Sequence, residues 1–385
     1  MSAQAPAVPL AENVDPKASR YDRDFANHVV RDDFPTWLRQ AARQTGTKPL
    51  KIVLDYVQCR GPGRLSLQDY FLYRLYDNSK FSPEEKRRFI SDGLHWPVTH
   101  KCCDLSWQAM TEDKWMSYTL LTRFGLPVPT TLAVIDVSER DFADTLKLST
   151  PAELKQFLAS CSDFPLFCKA NNGLGSFGAF IITGIDGNLV LRAQDEPVDI
   201  ETLFRDIASD RTYLIQARLE NHKVIRKMTE YLSTIRMVNF FEPNGVRTPF
   251  AALKLPAANN IADNFWRKGN FLADVDVETG VLRRIIRGKG VFTEELECHP
   301  DGGDRLVGLR LPFWNDVKKL NAKAAALFAP IRYGSLDIAL TDSGPVVVEM
   351  NTGGSFELPQ LASGKGLLTD ENLEFFRRHK CPLRG

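Results

Sequence analysis

A strand–turn–strand pattern near the C-terminus constrains this 385-residue chain more than any other feature of its sequence. The mostly apolar segment 335–340 is followed by Thr-Asp-Ser-Gly, a strong turn signal, after which the chain returns as a second strand. If the loop covers 342–344, the two strands form an antiparallel hairpin in which Asp337 lies directly opposite Glu349. Asn351, two positions further along, points to the same face.

The three side chains on that face, Asp337, Glu349 and Asn351, offer the ligand atoms that magnesium prefers. Mg²⁺ is usually bound by one or two carboxylates together with phosphate oxygens and water. The pattern therefore predicts a Mg²⁺ site in the hairpin. The alternative is a surface hairpin whose acids are simply solvated.

The composition is that of a soluble globular protein of two or three domains. The chain is 43% hydrophobic and 25% charged, and its net charge of +1 gives no reason to expect nucleic acid or a membrane as partner. The sequence has neither a membrane-length apolar run nor a secretion signal, and its seven cysteines form no CxxC pair, which predicts reduced thiols in the cytoplasm. A zinc site is left open by the closely spaced His95, His100, Cys102 and Cys103, although their spacing matches no standard zinc finger.

The N-terminal part is predicted to be mainly helical. Residues 1–20 are rich in Ala, Pro and small polar residues and predict a loose tail. Apolar residues recur at helical spacing over 33–45 and 66–77, and Ser82, followed by Pro and two Glu, is typical of a helix N-cap. The apolar run at 51–57 is interpreted as the one early strand.

A further helix is expected to open at Thr111 and to end at Gly125. The Leu-Pro-Val-Pro segment that follows is incompatible with a helix and leads into a strand at 131–135. Lys114 lies near the start of the helix. Taken alone, it is interpreted as a solvated surface lysine.

The glycine-rich segment 173–178 fits the GxGxxG pattern of dinucleotide-binding proteins, but its surroundings do not. A dinucleotide loop must open a helix, whereas 179–183 is apolar and partly β-branched and predicts a strand. The result is a hairpin of strand, glycine loop and strand whose backbone amides can close over phosphates. Lys169, at the end of the first strand, could reach the same phosphates. The alternative is a glycine-rich turn beside a surface lysine.

Two further predicted strands each carry a notable polar side chain. The strand 213–219 contains Gln216, whose amide could pair with the edge of adenine, and it runs into the polar segment 220–223, a candidate hinge. The strand 233–238 contains Arg236. Both have a simpler interpretation, a plain sheet strand for the first and an edge arginine facing water for the second.

The order of these features resembles the ATP-grasp superfamily over about residues 111–360. More narrowly, the segments SLQDYFLYRLY, STIRMVNF and DNFWRKGNFLADVDVETG and the hinge from Gln216 to His222 are similar to the sugar-transfer-associated ATP-grasp proteins. The resemblance implies an α+β fold like that of D-alanine:D-alanine ligase, with a nucleotide between two antiparallel sheets and a mainly helical N-terminal domain. It divides the chain into a tail (1–20), an N-terminal domain (21–113), a central lid domain (114–221) and a C-terminal domain with the metal site (222–385).

The same resemblance implies roles for individual residues. Asp337, Glu349 and Asn351 would hold Mg²⁺, while Arg236 and Lys169 would be catalytic. The residues expected to bind ATP are Lys114, Lys169, Gly173, Gly175, Ser176, Gly178, Gln216, Leu219, His222 and Lys223. Many relatives have a glutamate where this chain has Gln216, but a neutral amide can still accept from the adenine amine.

The implied activity is an ATP- and magnesium-dependent ligation of a small carboxylate to an amine, through an acyl phosphate and with release of ADP and phosphate. A small-molecule kinase and a non-catalytic ATP-binding module are the alternatives, and a homodimer is left open. An amino acid or an amino sugar would suit the amine position. The backbone amides of 353–355 are expected to face an anionic substrate. The segment 254–270 is interpreted either as a surface loop or as the wall of the acceptor pocket, through Asn259, Asn260, Asn264, Trp266, Arg267 and Lys268.

Overall fold

The computed structural model describes residues 19–28, 33–59, 61–209, 211–257, 260–300 and 303–383. Nearly all of the predicted tail, residues 1–18, lies outside the described residues. Across the described ranges, no helix has both the length and the apolar character needed to span a membrane.

The described part of the chain before residue 131 is helical, and both strands and helices occur after it. The helices are α1 (Arg20–His28), α2 (Phe34–Thr45), α3 (Pro49–Cys59), α4 (Leu67–Leu72), α5 (Pro83–Arg87), α6 (His95–Cys102), α7 (Gln108–Glu112), α8 (Lys114–Arg123), α9 (Pro151–Ser160), α10 (Ile200–Ala208), α11 (Lys223–Arg226), α12 (Trp314–Leu327), α13 (Glu357–Ser363) and α14 (Asp370–Arg378). The strands are β1 (Thr131–Ile135), β2 (Leu146–Leu148), β3 (Leu166–Ala170), β4 (Phe180–Asp186), β5 (Leu189–Arg192), β6 (Asp195–Asp199), β7 (Tyr213–Ala217), β8 (Thr234–Glu242), β9 (Gly245–Leu255), β10 (Phe271–Val275), β11 (Leu282–Arg287), β12 (Glu294–Leu296), β13 (Tyr333–Thr341) and β14 (Gly344–Thr352).

The strands form two seven-stranded sheets. The first has the order β2-β1-β7-β3-β4-β5-β6 and is antiparallel except for the β1–β2 pair. The second has the order β12-β11-β10-β9-β8-β13-β14 and is antiparallel throughout. Together with the helices they confirm the expected α+β fold.

Helices cover the outer surfaces of the sheets. Adjacent residues of β9 belong to different apolar clusters, since Leu253 packs with residues of α12 and α14, whereas Ala252 packs with residues of α2–α4 and α13. The second sheet is therefore covered on both faces. Apolar side chains of α9 and α10 pack on the first sheet.

The predicted strand at 51–57 is wrong, because these residues belong to α3. A short apolar run does not by itself distinguish a strand from a buried helix. Ile52 and Cys59, two helical turns apart, are the buried residues of this helix. The helix N-cap predicted at Ser82 is confirmed: Ser82 caps α5 through a capping box with Glu85.

Two other helix predictions need correction in their bounds. The helix expected over 66–77 ends after α4, because the chain leaves the helix at Tyr73 and Arg74 adopts a φ of 59°. The helix expected from Thr111 is divided: Asp113 accepts the backbone N–H of Met116 as the N-cap of a new helix, α8. Lys114 therefore begins a helix rather than lying in the middle of its first turn.

The four residues that left a zinc site open do not form one. His95 and Cys102 lie at opposite ends of α6, about 10 Å apart along the axis. Cys103 instead donates its thiol hydrogen to the carbonyl oxygen of Tyr333 at 3.2 Å.

Candidate nucleotide and metal site

A cavity of about 600 Å³ lies between the two sheets. Its volume is in the range of small-molecule sites. Most of the predicted site residues line it: Lys114, Lys169, Gly173, Gly175, Ser176, Gln216, Leu219, Arg236, Asp337, Glu349 and Asn351. The lining does not include Gly178, His222 or Lys223.

The β13–β14 hairpin has the predicted pairing of Asp337 with Glu349, but it reaches this register in a different way. The turn is one residue shorter than expected, since Thr341 already pairs with Gly344. A β-bulge then follows, in which Val348 has no partner between the pairs Ile338–Val347 and Asp337–Glu349. The bulge adds back the residue that the turn lacks, so that both carboxylates line the cavity.

Asp337 is buried between two cations on neighbouring strands. Arg236 on β8 binds both carboxylate oxygens, with Nη2 to Oδ2 at 2.9 Å, and Lys254 on β9 lies 3.0 Å from Oδ2. Burial alone would raise the pKa of Asp337, but the charges of Arg236 and Lys254 outweigh it and lower the pKa to about 2. Asp337 is therefore a carboxylate at any physiological pH.

Lys114 makes the corresponding contact with Glu349. The two side chains form an ion pair, Nζ to Oε1 at 2.9 Å, and Lys114 also donates to the carbonyl oxygen of Gly173 at 2.7 Å. Burial would raise the pKa of Glu349, but the charge of Lys114 more than offsets it, so the pKa is lowered. The interpretation of Lys114 as a solvated surface lysine is wrong, since only 7% of the residue is exposed.

Lys169 projects from β3 into a buried position beside Tyr118. Its Nζ donates to Tyr118 Oη at 2.8 Å, and that hydroxyl donates to the carbonyl oxygen of Val348, the bulge residue. Burial lowers the pKa of Lys169 to about 8, against the opposing charge of Glu349. Tyr118 thus connects the lysine of one sheet with β14 of the other.

The glycine loop lies between two strands, β3 and β4, as predicted, and does not open a helix. Gly175 and Ser176 both have positive φ, 58° and 56°, and both line the cavity. Within the described ranges of the chain, their backbone N–H groups have no hydrogen-bond partner, whereas those of Leu174 and Gly178 donate to side chains. Adjacent free amides in a loop of this kind form a concave site for an anion.

Distant segments hold this loop in place. In α1, Tyr21 Oη accepts from the N–H of Leu174 at 3.1 Å, and Asp24 accepts from the N–H of Gly178 at 2.9 Å. On the opposite side, Asn264 donates to the carbonyl oxygen of Gly175 at 3.0 Å. The glycine loop is therefore fastened at several points to other parts of the chain.

The segment 254–270 does line the cavity in part. Asn264 and Trp266 are among the lining residues, but Arg267 instead forms an ion pair with Asp24 at 2.8 Å. Asn260 donates to the carbonyl oxygen of Lys268, 3.0 Å away, within the segment itself. Asn259 lies outside the described residues.

Gln216 lines the cavity, whereas His222 and Lys223 do not. Gln216 on β7 is 2% exposed and donates to Thr131 Oγ1 at 3.0 Å, while lining the cavity. The N–H of His222 instead donates to the carbonyl oxygen of Leu340 in β13, and that of Lys223 donates to Asp342 Oδ1 in the β13–β14 turn. His222 is the N-cap of a short helix, α11, which begins at Lys223, the last residue of the predicted hinge.

The backbone amides at 353–355 are not generally available to a substrate, contrary to the expectation. The N–H of Gly353 donates to the carbonyl oxygen of Tyr333 at 2.9 Å, and that of Ser355 donates to His95 Nε2 at 3.2 Å. Two of the proposed donors are therefore already used within the fold.

Sequence reasoning missed Lys254 and Asp263, which extend the charged cluster. Lys254 lies 3.3 Å from Asp263 Oδ2 as well as contacting Asp337, and both line the cavity. Burial raises the pKa of Asp263 despite the charge of Lys254. Lys254 could have been found by the signal that identified Arg236, a single charge within an apolar strand, whereas Asp263 has no comparable signal in the sequence.

The hairpin residues offer donor atoms of the kind that a magnesium ion binds, although Asp337 and Glu349 are ion-paired with basic side chains in this structure. They supply two carboxylates and one amide oxygen on one wall of the cavity, which is a suitable donor set. Among the described residues, Asn351 has a buried Nδ2 without a hydrogen-bond partner. A rotation of this amide would present its oxygen instead, so the side chain has a binding capacity that the fold does not use.

Comparison with known proteins gives the family. The comparison with curated proteins found no match to this chain. Similar solved structures include a D-alanine–D-alanine ligase from Coxiella burnetii (16% identity, TM-score 0.40, covering 72% of this chain and 60% of that one) and a D-alanyl-alanine synthetase A from Vibrio cholerae (13%, 0.42, 72% and 67%). An N5-carboxyaminoimidazole synthase from Aspergillus clavatus, in complex with ADP and 5-aminoimidazole ribonucleotide, is also similar (12%, 0.36, 71% and 58%).

This chain thus spans about 60% of the length of the Coxiella ligase. The family model described as sugar-transfer associated ATP-grasp matches residues 99–374, well over half of the chain. The protein belongs to the sugar-transfer associated ATP-grasp family and has the ATP-grasp fold.

Proposed function

We propose that this protein is an ATP- and magnesium-dependent ligase that joins a small-molecule carboxylate to an amine and releases ADP and phosphate. One observation carries the proposal: a single cavity brings together the free loop amides, four basic side chains and the three hairpin oxygen ligands. The basic side chains are Lys114, Lys169, Arg236 and Lys254.

The cavity offers separate environments for the two parts of ATP. Phe167, Ile181 and Leu219 provide apolar surface around Gln216, which suits an adenine ring and its polar edge. The N–H groups of Gly175 and Ser176 suit the phosphates. Family membership supports ATP as the nucleotide.

The reaction that these groups can support needs no protein nucleophile. An oxygen of the substrate carboxylate attacks the γ-phosphorus, the bond to the β-phosphate oxygen breaks, and ADP leaves. The amine then attacks the acyl carbon of the acyl phosphate, phosphate leaves, and the amine loses a proton to solvent. The lysines and Arg236 position the phosphates and neutralise their charge. Magnesium, when held by Asp337, Glu349 and Asn351, would add further positive charge against the phosphate oxygens.

The partners and location belong to the same proposal. The carboxylate and amine are small molecules, with an amino acid or amino sugar as the amine, and nucleic acid and membranes are not partners. We place the protein in the cytoplasm, in keeping with seven cysteines that form no disulfide in the described residues. A homodimer is compatible with this assignment.

The test is nucleotide release by the purified protein with ATP and Mg²⁺, across carboxylates crossed with amines, with products identified by mass spectrometry. ADP that appears only when both substrates are present, together with a condensed product, supports the ligase. AMP would contradict the acyl phosphate, and ADP with a phosphorylated alcohol would instead establish a kinase. Glu349→Gln should abolish the activity, while Glu294→Gln, an exposed ion-paired glutamate on β12, should retain it.

A further inference from the structure

Two thiols lie in contact outside the cavity. Cys102 Sγ and Cys381 Sγ are 3.4 Å apart, although 279 positions separate them in the sequence. Cys102 is the last residue of α6, and Cys381 follows α14 near the C-terminus. In the described part of the chain, no other thiol has a second sulfur as its hydrogen-bond partner.

The two thiols differ in their surroundings in a way that assigns them different roles. Cys102 is 2% exposed, whereas Cys381 is only partly buried and is the one that a small solute in water reaches first. The hydrogen bond shared with Cys102, together with the charge of Lys101, lowers the pKa of Cys381 against the opposing effect of burial. Cys381 is therefore the thiol that ionises and reacts more readily.

We propose that Cys102 and Cys381 are an oxidisable dithiol that a hydroperoxide converts into an intramolecular disulfide. The Cys381 thiolate attacks the peroxide, the O–O bond breaks, and a sulfenic acid and hydroxide form. The Cys102 sulfur then attacks the Cys381 sulfur, the S–O bond breaks, and water leaves with the proton of Cys102. With hydrogen peroxide, two thiols yield one disulfide and two waters.

The position of α6 connects this pair with the proposed active site. The same helix begins at His95, which accepts the N–H of Ser355, a residue of the cavity lining. A disulfide at the other end of α6 would tie the C-terminal segment to the helix that supports this wall. Transient disulfides of this kind are compatible with a reducing compartment, where they serve redox sensing.

The cross-link has a direct test on the full-length chain, treated with hydrogen peroxide, alkylated, and digested with trypsin without reduction. We expect a linked pair of peptides, one that begins at Cys102 and one that begins at Cys381. Because the first peptide also contains Cys103, variants identify the sulfur: Cys103→Ser should keep the cross-link and Cys102→Ser should remove it. The melting temperature should rise by a few degrees when the wild type or Cys103→Ser is oxidised, but it should not rise when Cys102→Ser is oxidised.

Two outcomes would overturn the proposal. The first is a sample in which the exposed Cys298 is oxidised, which proves that the oxidant acted, while Cys102 and Cys381 stay unlinked. The second is a cross-link that survives in Cys102→Ser, which would assign the reactive partner to Cys103. Neither result depends on the ligase activity, so the dithiol and the proposed function stand or fall separately.

Discussion

The β13–β14 hairpin and the glycine loop line the same cavity, but they are held in place by different means. The hairpin sets the positions of Asp337 and Glu349 by its own register, and cations from β8 and β9 pair with Asp337 while Lys114, at the start of α8, pairs with Glu349. The glycine loop depends on α1 and on the segment 260–270, which are far from it in the chain.

This difference indicates how a substitution should act in each region. A side chain in the hairpin can lose its charge while the backbone pairing remains, so the effect depends on what that charge neutralises. The loop is held by hydrogen bonds to α1 and Asn264, so its shape depends on contacts that single substitutions remove. The expected effects below decrease in size from the hairpin to the loop.

The largest effect is expected at Asp337, where a neutral side chain would leave Arg236 and Lys254 without their shared partner. Removing one member of a buried ion pair costs about 3–5 kcal/mol. Asp337→Asn should lower the free energy of unfolding by an amount of this order, measured with urea. Asp342→Asn, in the exposed turn of the same hairpin, should lower the free energy of unfolding far less.

The same residue predicts a pH dependence. The folded pKa of Asp337, about 2, is below the value of about 3.9 for an unfolded Asp. Its contribution is therefore complete above pH ~4 and is lost as the pH falls toward 2. A stability profile of Asp337→Asn that falls as steeply as the wild type in this interval would contradict the assignment.

Glu349→Gln should separate binding from folding within the hairpin. The glutamine keeps a hydrogen-bond acceptor for Lys114 but loses the charge that a metal ion needs, so magnesium-dependent ATP binding should weaken by about 100-fold. The melting temperature should fall by less than in Asp337→Asn, because Glu349 pairs with one cation and is less buried than Asp337. Calorimetry with and without Mg²⁺ measures the first effect, and a variant that fails to fold would show that Glu349 is structural.

At the base of the loop, Lys169 should make ATP binding depend on pH. Its pKa is about 8 in the folded protein, so the ammonium that pairs with phosphate is present below pH 8 and lost above it. ATP affinity should fall about 10-fold between pH 7 and pH 9. In Lys169→Arg the affinity should stay nearly constant over this interval, since arginine keeps its proton.

Gly178, in the glycine loop, can be tested against Gly187, which lies outside the loop and serves as the control. Both have positive φ, 70° and 59°, but a Cβ at Gly178 would lie 2.5 Å from Tyr213 Oη and 2.9 Å from Tyr21 Cα, whereas Gly187 has nothing within 4 Å. Both alanine variants carry the backbone strain, and only Gly178→Ala adds crowding. We expect about a fivefold loss of ATP affinity in Gly178→Ala. Equal affinities in the two variants would show that contact with α1 does not shape the loop.

The smallest effect is expected at Asp24, which joins the loop to Arg267. Asp24→Asn keeps an acceptor for Gly178 but loses the charge, so release of a fluorescent ADP should accelerate about two- to threefold. Asp22→Asn, on the same helix and paired with Arg211 instead, is the control. Identical release rates in both variants would mean that α1 does not restrain the loop.

Sequence reasoning worked where the signals were local. The strand 131–135, the capping box at Ser82 and the strand–loop–strand around the glycines depend on a few neighbouring residues. It failed at 51–57, where a short apolar run fits a helix and a strand equally well. The Asp337–Glu349 pair was predicted correctly even though the turn was misjudged, because a bulge restored the register.

The sequence by itself predicted the pairing of Asp337 with Glu349 and a strand–loop–strand around the glycines, and it singled out Lys169 and Arg236. These follow from side-chain alternation in strands and from turn chemistry, which act over a few residues. Only the tertiary structure decided that Lys254 bridges Asp337 and Asp263 and that His222 lies away from the cavity. It also decided that side chains of α1 accept hydrogen bonds from the backbone N–H groups of Leu174 and Gly178. Each of these depends on segments far apart in the chain, whose approach is set by the packing of the whole fold and leaves no periodic signal in the sequence.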